Sequence, residues 1–127
     1  MTVTAGPISE YDMDTFTRDV GTASGTQAIT GLGFTPTHIY FIMAHGPTNA
    51  IGSWGMSDGT NENARHIGGL GWGLDTTDSI HVDQGSGNSY EGDVSSFDSD
   101  GFTINWTKTG ATSGTITVLF FAVKEIA

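Results

Sequence analysis

Two runs of residues constrain this chain more than anything else in it. Gly33-Phe-Thr-Pro-Thr-His-Ile-Tyr-Phe-Ile-Met-Ala-His45 lies near the first third, and Thr115-Ile-Thr-Val-Leu-Phe-Phe-Ala-Val-Lys124 lies near the end. Both are rich in β-branched and aromatic residues and follow a glycine, so each reads as a strand inside a sheet. Side chains alternate across a strand, which gives each run two apolar faces. Ile39, Phe41 and Met43 point one way and Tyr40, Ile42 and Ala44 the other; Ile116, Val118, Phe120 and Ala122 oppose Leu119, Phe121 and Val123. In a two-sheet sandwich a strand hides only its inner face within its own chain. The second face needs a cover, because large exposed apolar patches are unusual on soluble monomers. The pattern therefore predicts a homo-oligomer, with Tyr40, Ile42, Leu119, Phe121 and Val123 as candidate contacts.

The rest of the chain predicts short strands and tight turns. Its 127 residues suit one domain, which buries roughly two-thirds of its unfolded surface. Nineteen glycines and only 14% charged residues favour strands over helices. Thr15–Val20 and Thr26–Thr30 flank Gly21-Thr-Ala-Ser-Gly25 as a hairpin would, and Ile51–Met56 runs as a short strand into the turn Ser57-Asp-Gly59. Gly68-Gly-Leu-Gly-Trp-Gly73 excludes an ordinary helix, since each glycine costs about 1 kcal/mol there, and Thr60 to Gly73 reads as a surface loop. Ser79–Asp83 alternates as a strand does. Phe102, Ile104 and Trp106 share one face of another, which is expected to pair with Thr115–Lys124 through the turn Thr109–Gly114. The expected fold is all-β: an antiparallel two-sheet β-sandwich, jelly-roll-like, of about seven to eight strands, with a small barrel as the alternative. Residues 15–127 form that domain and residues 1–14 an N-terminal arm, whose Ile8, Tyr11 and Met13 suit docking.

Four Lys and Arg against fourteen Asp and Glu give a net charge of −10, which opposes a sequence-independent grip on nucleic acid or an anionic membrane. No segment approaches the roughly 20 apolar residues that span a bilayer, and the first residues lack the pattern of a cleavable signal. Without cysteine there is neither a disulfide nor a thiol nucleophile. Ser, His and Asp are plentiful, but no Gly-x-Ser-x-Gly elbow organises them, and the expectation is that the chain is not an enzyme. Asp98-Ser-Asp-Gly101 has the start of a calcium loop without its distant Glu, and reads as a polar turn. Asp75, Asp78 and Asp83 add a weak cation site, and His66 and His81 are the pair that would meet on a metal; the expectation is neither metal nor cofactor. Trp54 and Trp72 either pack in the core or, if exposed, stack on sugar rings, which makes them the candidate ligand contacts.

Several of these segments are familiar together. Gly31-Leu-Gly-Phe-Thr-Pro-Thr-His-Ile-Tyr-Phe-Ile-Met-Ala44 is similar to a signature of small virion proteins of tailed bacteriophages, in which Gly-Phe-x-Pro precedes an apolar strand. Trp54-Gly-Met-Ser-Asp-Gly59, Phe97-Asp-Ser-Asp-Gly-Phe-Thr-Ile-Asn-Trp106 and the last apolar strand before a lysine extend the likeness over residues 26–124. The resemblance implies a β-sandwich of a phage particle, used in several copies and assembled in the bacterial cytoplasm. Small free-standing examples are capsid decoration or cement proteins that contact the major capsid or another virion protein. Longer ones carry the module on head or tail fibres, where it recognises a host glycan or surface protein. No stalk-like repeat is present here, which favours decoration over a whole fibre, and in that reading the chain assembles through its doubly apolar strands as a homotrimer.

Overall fold

The computed structural model describes residues 8–46 and 50–126. Among them, ten strands form two antiparallel sheets packed as a β-sandwich. The strands are β1 (Ile8–Asp19), β2 (Gly25–Ile29), β3 (His38–His45), β4 (Gly52–Ser57), β5 (Glu62–Gly68), β6 (Gly71–Asp75), β7 (Ile80–Gly85), β8 (Asn88–Asp98), β9 (Gly101–Thr109) and β10 (Thr115–Glu125). The larger sheet has the order β1-β10-β3-β4-β5-β6 and the smaller β2-β9-β8-β7. β3 to β6 and β7 to β9 each run as a meander. The chain changes sheet at β1 to β2, β2 to β3, β6 to β7 and β9 to β10.

Those crossings correct two expected hairpins. β1 and β2 belong to different sheets, as do β9 and β10, so neither pair is hydrogen-bonded as neighbours. The two similar glycine-rich segments, Gly21–Thr26 and Gly110–Thr115, are instead two of the corners where the chain changes sheet. They are tied together: Val20 N–H donates to the Gly114 carbonyl at 2.9 Å, the buried Thr112 hydroxyl donates to the Val20 carbonyl at 2.6 Å, and Lys108 Nζ donates to the Gly21 carbonyl at 3.0 Å. Turn composition marks a corner as readily as a hairpin; only long-range pairing distinguishes them.

Strand β1 also corrects the expected arm. It begins at Ile8 and pairs with β10 from that residue onward, so residues 8–14 belong to the sheet; residues 1–7 lie outside the described residues. Its polar residues obscured it, because Asp12 and Asp14 occupy the inner parity at an edge that the smaller sheet leaves uncovered.

The core fills the wide end of the sandwich. Ile39, Phe41, Met43, Ile116, Val118 and Phe120 from the large sheet meet Phe102, Ile104, Trp106, Tyr90 and Val82 from the small one, all buried. Phe102 lies edge-on to Phe41 and Phe120, with ring centroids 5.8 and 5.3 Å apart. Arg18 closes this end, its Nε donating to the Tyr90 hydroxyl at 2.9 Å and its guanidinium lying 5.8 Å from the Trp106 ring. Trp106 in turn donates through Nε1 to Gln27 at 3.0 Å, so its one polar atom is satisfied.

At the other end the sheets nearly touch. A Cβ on Gly55 of β4 would fall on the Ser79 carbonyl oxygen, and one on Gly68 of β5 on that of Asp83. Ser53 and Ala64 complete this small-residue floor, and the Ser53 hydroxyl accepts from His81 N–H at 3.2 Å. The glycines expected to make residues 60–73 a loop instead permit strands β5 and β6. Glycine is unfavourable in strands by propensity, but close backbone approach requires it.

Candidate functional site

The register of the large sheet assembles a single apolar surface on its outer face. Directly opposed residues of antiparallel strands share a face, so the pairings generate rows across the sheet. One row runs Thr15, Leu119, Ile42, Trp54, Arg65, Leu74; on either side lie Met13, Phe121, Tyr40, Met56, Asn63 and Thr17, Thr117, Ala44, Gly52, Ile67, Trp72. These rows contain no carboxylate and one cation, Arg65, in a chain of fourteen Asp and Glu. Asp19 and Glu125 approach this face only at strand ends.

The candidate contacts expected from sequence are largely brought together here. Tyr40, Ile42 and Leu119 are exposed by 43, 57 and 36%, and Phe121 is half-buried between them. The Phe121 ring stacks on Tyr40 at 6.4 Å and tilts against Tyr11 at 5.9 Å. Val123 is different: at 5% exposure, flanked in register by Tyr11 and His38, it is covered within the chain and has no surface to offer a partner. Met13, expected from sequence only as part of a docking arm, and Met56 and Leu74, not singled out from sequence, are exposed on the same face. The cross-strand register reveals their membership of one face, since polar residues on β1 and glycines on β4 and β6 keep those strands from reading as apolar.

Trp54 and Trp72 both lie on this surface rather than in the core, exposed by 49 and 58%. Their rings meet edge to face at 5.7 Å, and the Arg65 guanidinium lies over Trp72 at 5.2 Å, a cation–π contact. A groove of about 430 Å³ lies beside Trp54, lined by Tyr40, Ile42, Trp54, Met56, Arg65 and Leu74 together with Gly55 and Ala64.

The acidic and histidine candidates fall elsewhere. The Asp98–Gly101 segment is a turn whose carboxylates are consumed internally: Asp98 accepts from the Ser96 and Thr103 hydroxyls at 2.8 and 2.7 Å, and Asp100 from the Gly31 and Gly33 N–H groups at 3.0 and 2.7 Å. His66 and His81 do meet, as parallel rings 3.7 Å apart, but face-to-face stacking does not converge their nitrogens on one point. Among the described residues no three His, Asp or Glu side chains are grouped to hold a metal ion.

Around that stack the carboxylates divide. Asp75 accepts from His81 Nδ1 at 2.8 Å and from the Thr77 and Asp78 N–H groups at 2.8 and 3.0 Å. Burial acts to raise its carboxyl, and these bonds outweigh it to hold the group below the usual range. Asp78 beside it is pushed up to about 7 by burial and the Asp75 charge. Glu62 is raised, mainly by burial, with one oxygen accepting from Ser57 Oγ and Val94 N–H, both at 2.9 Å.

No protein-family model matches the chain, and no curated protein or solved structure is significantly similar to it.

Proposed function

We propose that the protein is a structural subunit that works by being packed against others, of the capsid-decoration kind in a tailed-phage particle. The single observation that carries this reading is the carboxylate-free apolar outer face of the large sheet. An acidic chain meets copies of itself with least repulsion through a face without carboxylates. Six strands about 4.8 Å apart and three side-chain rows make on the order of 500 Å² of planar area. Allowing for relief, that is comparable with the roughly 800 Å² of accessible surface each partner contributes to a standard interface. The covering occupant is therefore another copy of the chain, in a homotrimer, with the remaining loops left to grip the major capsid or another virion protein. The phage setting, and with it a virion location, rests on the resemblance of residues 26–124 to small virion proteins.

The exposure of both tryptophans favours a second reading, recognition of a host glycan by a fibre-borne module. Arg65 already occupies one face of Trp72, which leaves less ring for a sugar and ranks this reading below the first. Imaging of particles assembled with the labelled protein separates them. Many copies at capsid symmetry axes support decoration; a few copies at one vertex, together with glycan-array binding lost in Trp54→Ala, support the fibre module and overturn decoration.

A further inference from the structure

A histidine pair joins the two sheets where they come closest. His66 projects inward from β5 and its ring lies parallel to that of His81 on β7, 3.7 Å away and inclined by 6°. It fits because Gly73 is its partner in register on β6: a Cβ there would fall on the imidazole. The β5–β6 hairpin, which carries Arg65, Trp72 and Leu74 on its outer side, thus rests on this ring pair. We propose that the His66–His81 stack is an acid-sensitive latch that fastens the β5–β6 hairpin to β7 and releases it when a proton is added to His66. The latch does not depend on what covers the outer face.

Its two rings are unequally supported. His81 has carboxylate oxygens at both nitrogens, Asp75 at 2.8 Å from Nδ1 and Glu91 at 3.8 Å from Nε2. His66 Nδ1 is buried and has no partner among the described residues. A proton added to His66 makes both its nitrogens donors, one of them without an acceptor, and presses a cation against the face of a second imidazole. The other charged groups around the pair are already engaged. Asp83 on β7 accepts from the Gly85 N–H at 2.9 Å and the Leu70 N–H at 3.2 Å, and Asp78, in the turn before β7, accepts from the Thr77 hydroxyl at 3.0 Å. Glu62 on β5 and Asp93 on β8 lie further along the same seam, and Arg65 points to the opposite face. Burial, followed by the charge of His81, holds the His66 imidazole below the ordinary histidine value of 6.5, against the pull of Asp83 and Asp75. A group lowered in the folded state leaves the unfolded or open form with more bound protons, so closure weakens as pH falls through and below that ordinary value. Asp78 and Glu62 change in the opposite sense over acid pH, which makes a local readout necessary.

Amide hydrogen exchange in the full chain supplies one. Corrected for intrinsic rates, residues 63–74 are expected to lose at least about tenfold in protection between about pH 7.5 and about pH 5 while β10 keeps its protection. His66→Gln, which takes up no proton, should abolish that difference. Equal protection of residues 63–74 at both pH values overturns the latch, as does an undiminished response in His66→Gln. Should that variant fail to fold, NMR titration of the wild-type His66 ring decides. A midpoint below the free-histidine value with concerted shifts at Gly73 supports the latch, and a midpoint at or above that value overturns it.

Discussion

The two faces of the six-stranded sheet have nearly the same chemistry and opposite circumstances. On the inner face Phe41 and Phe120 are 1 and 2% exposed against the smaller sheet, whereas Ile42 and Leu119, one residue along the same strands, stand in the open. The difference shows what an apolar alternation means. It records that both faces of a strand are destined for cover, and the fold itself supplies only one cover. The outer face also lacks the carboxylates found nearly everywhere else on the chain, which simple leftover hydrophobicity does not require.

Substitution is the direct way to break that comparison. The largest effect is expected from Phe41→Ala, which opens a cavity among Phe102 and its neighbours and should cost about 3–5 kcal/mol in denaturant unfolding. Next is Gly55→Ala at the tight end: the added Cβ meets the Ser79 carbonyl, so the sheets must separate, at a cost of about 1–3 kcal/mol in the same measurement.

A smaller, pH-dependent effect belongs to Asp78. Because its carboxyl is raised to about 7 from 3.8, the folded protein holds a proton that the unfolded chain releases, and stability declines as pH rises across that window. Asp78→Asn should therefore stabilise by roughly 1 kcal/mol at about pH 8, after allowance for solvent screening, and by nothing at about pH 3. Thermal melts of the two proteins across pH check this.

Smallest for the fold, and most informative, are changes on the outer face. Ile42→Asp and Trp72→Ala should alter monomer stability by less than about 1 kcal/mol, because neither opens a cavity in the core. A loss as large as that of Phe41→Ala would erase the distinction between the faces.

Much of this was legible in the residues. The two apolar runs, their face assignments and the Phe102, Ile104, Trp106 stripe follow from period-two alternation and hold in the fold. What escaped was non-local. Whether Gly21–Gly25 and Gly110–Gly114 make hairpins or corners depends on which sheet receives the next strand, a property of the whole chain. Strands β5 and β6 were hidden by glycines whose reasons are tertiary: Gly68 meets the β7 backbone at Asp83, and Gly73 makes room for the His66 ring. Among the site residues, Tyr40, Ile42, Leu119 and Phe121 were readable from periodicity. Val123 shares the outer parity and sits in register between Tyr11 and His38, yet is 5% exposed, a burial that periodicity alone does not show. Met56 and Leu74, and the place of Met13 on the same face as Tyr40, required the register.

Sedimentation equilibrium at micromolar concentration tests the central claim most directly, comparing the natural chain with Ile42→Asp and Leu119→Asp. The expected result is a homo-oligomeric mass for the natural chain, a trimer by the reading above, and a folded monomer of 13.3 kDa for each variant. A natural chain that sediments as a monomer, or variants that keep the oligomeric mass, would contradict the assignment of the outer face as the surface through which this protein assembles.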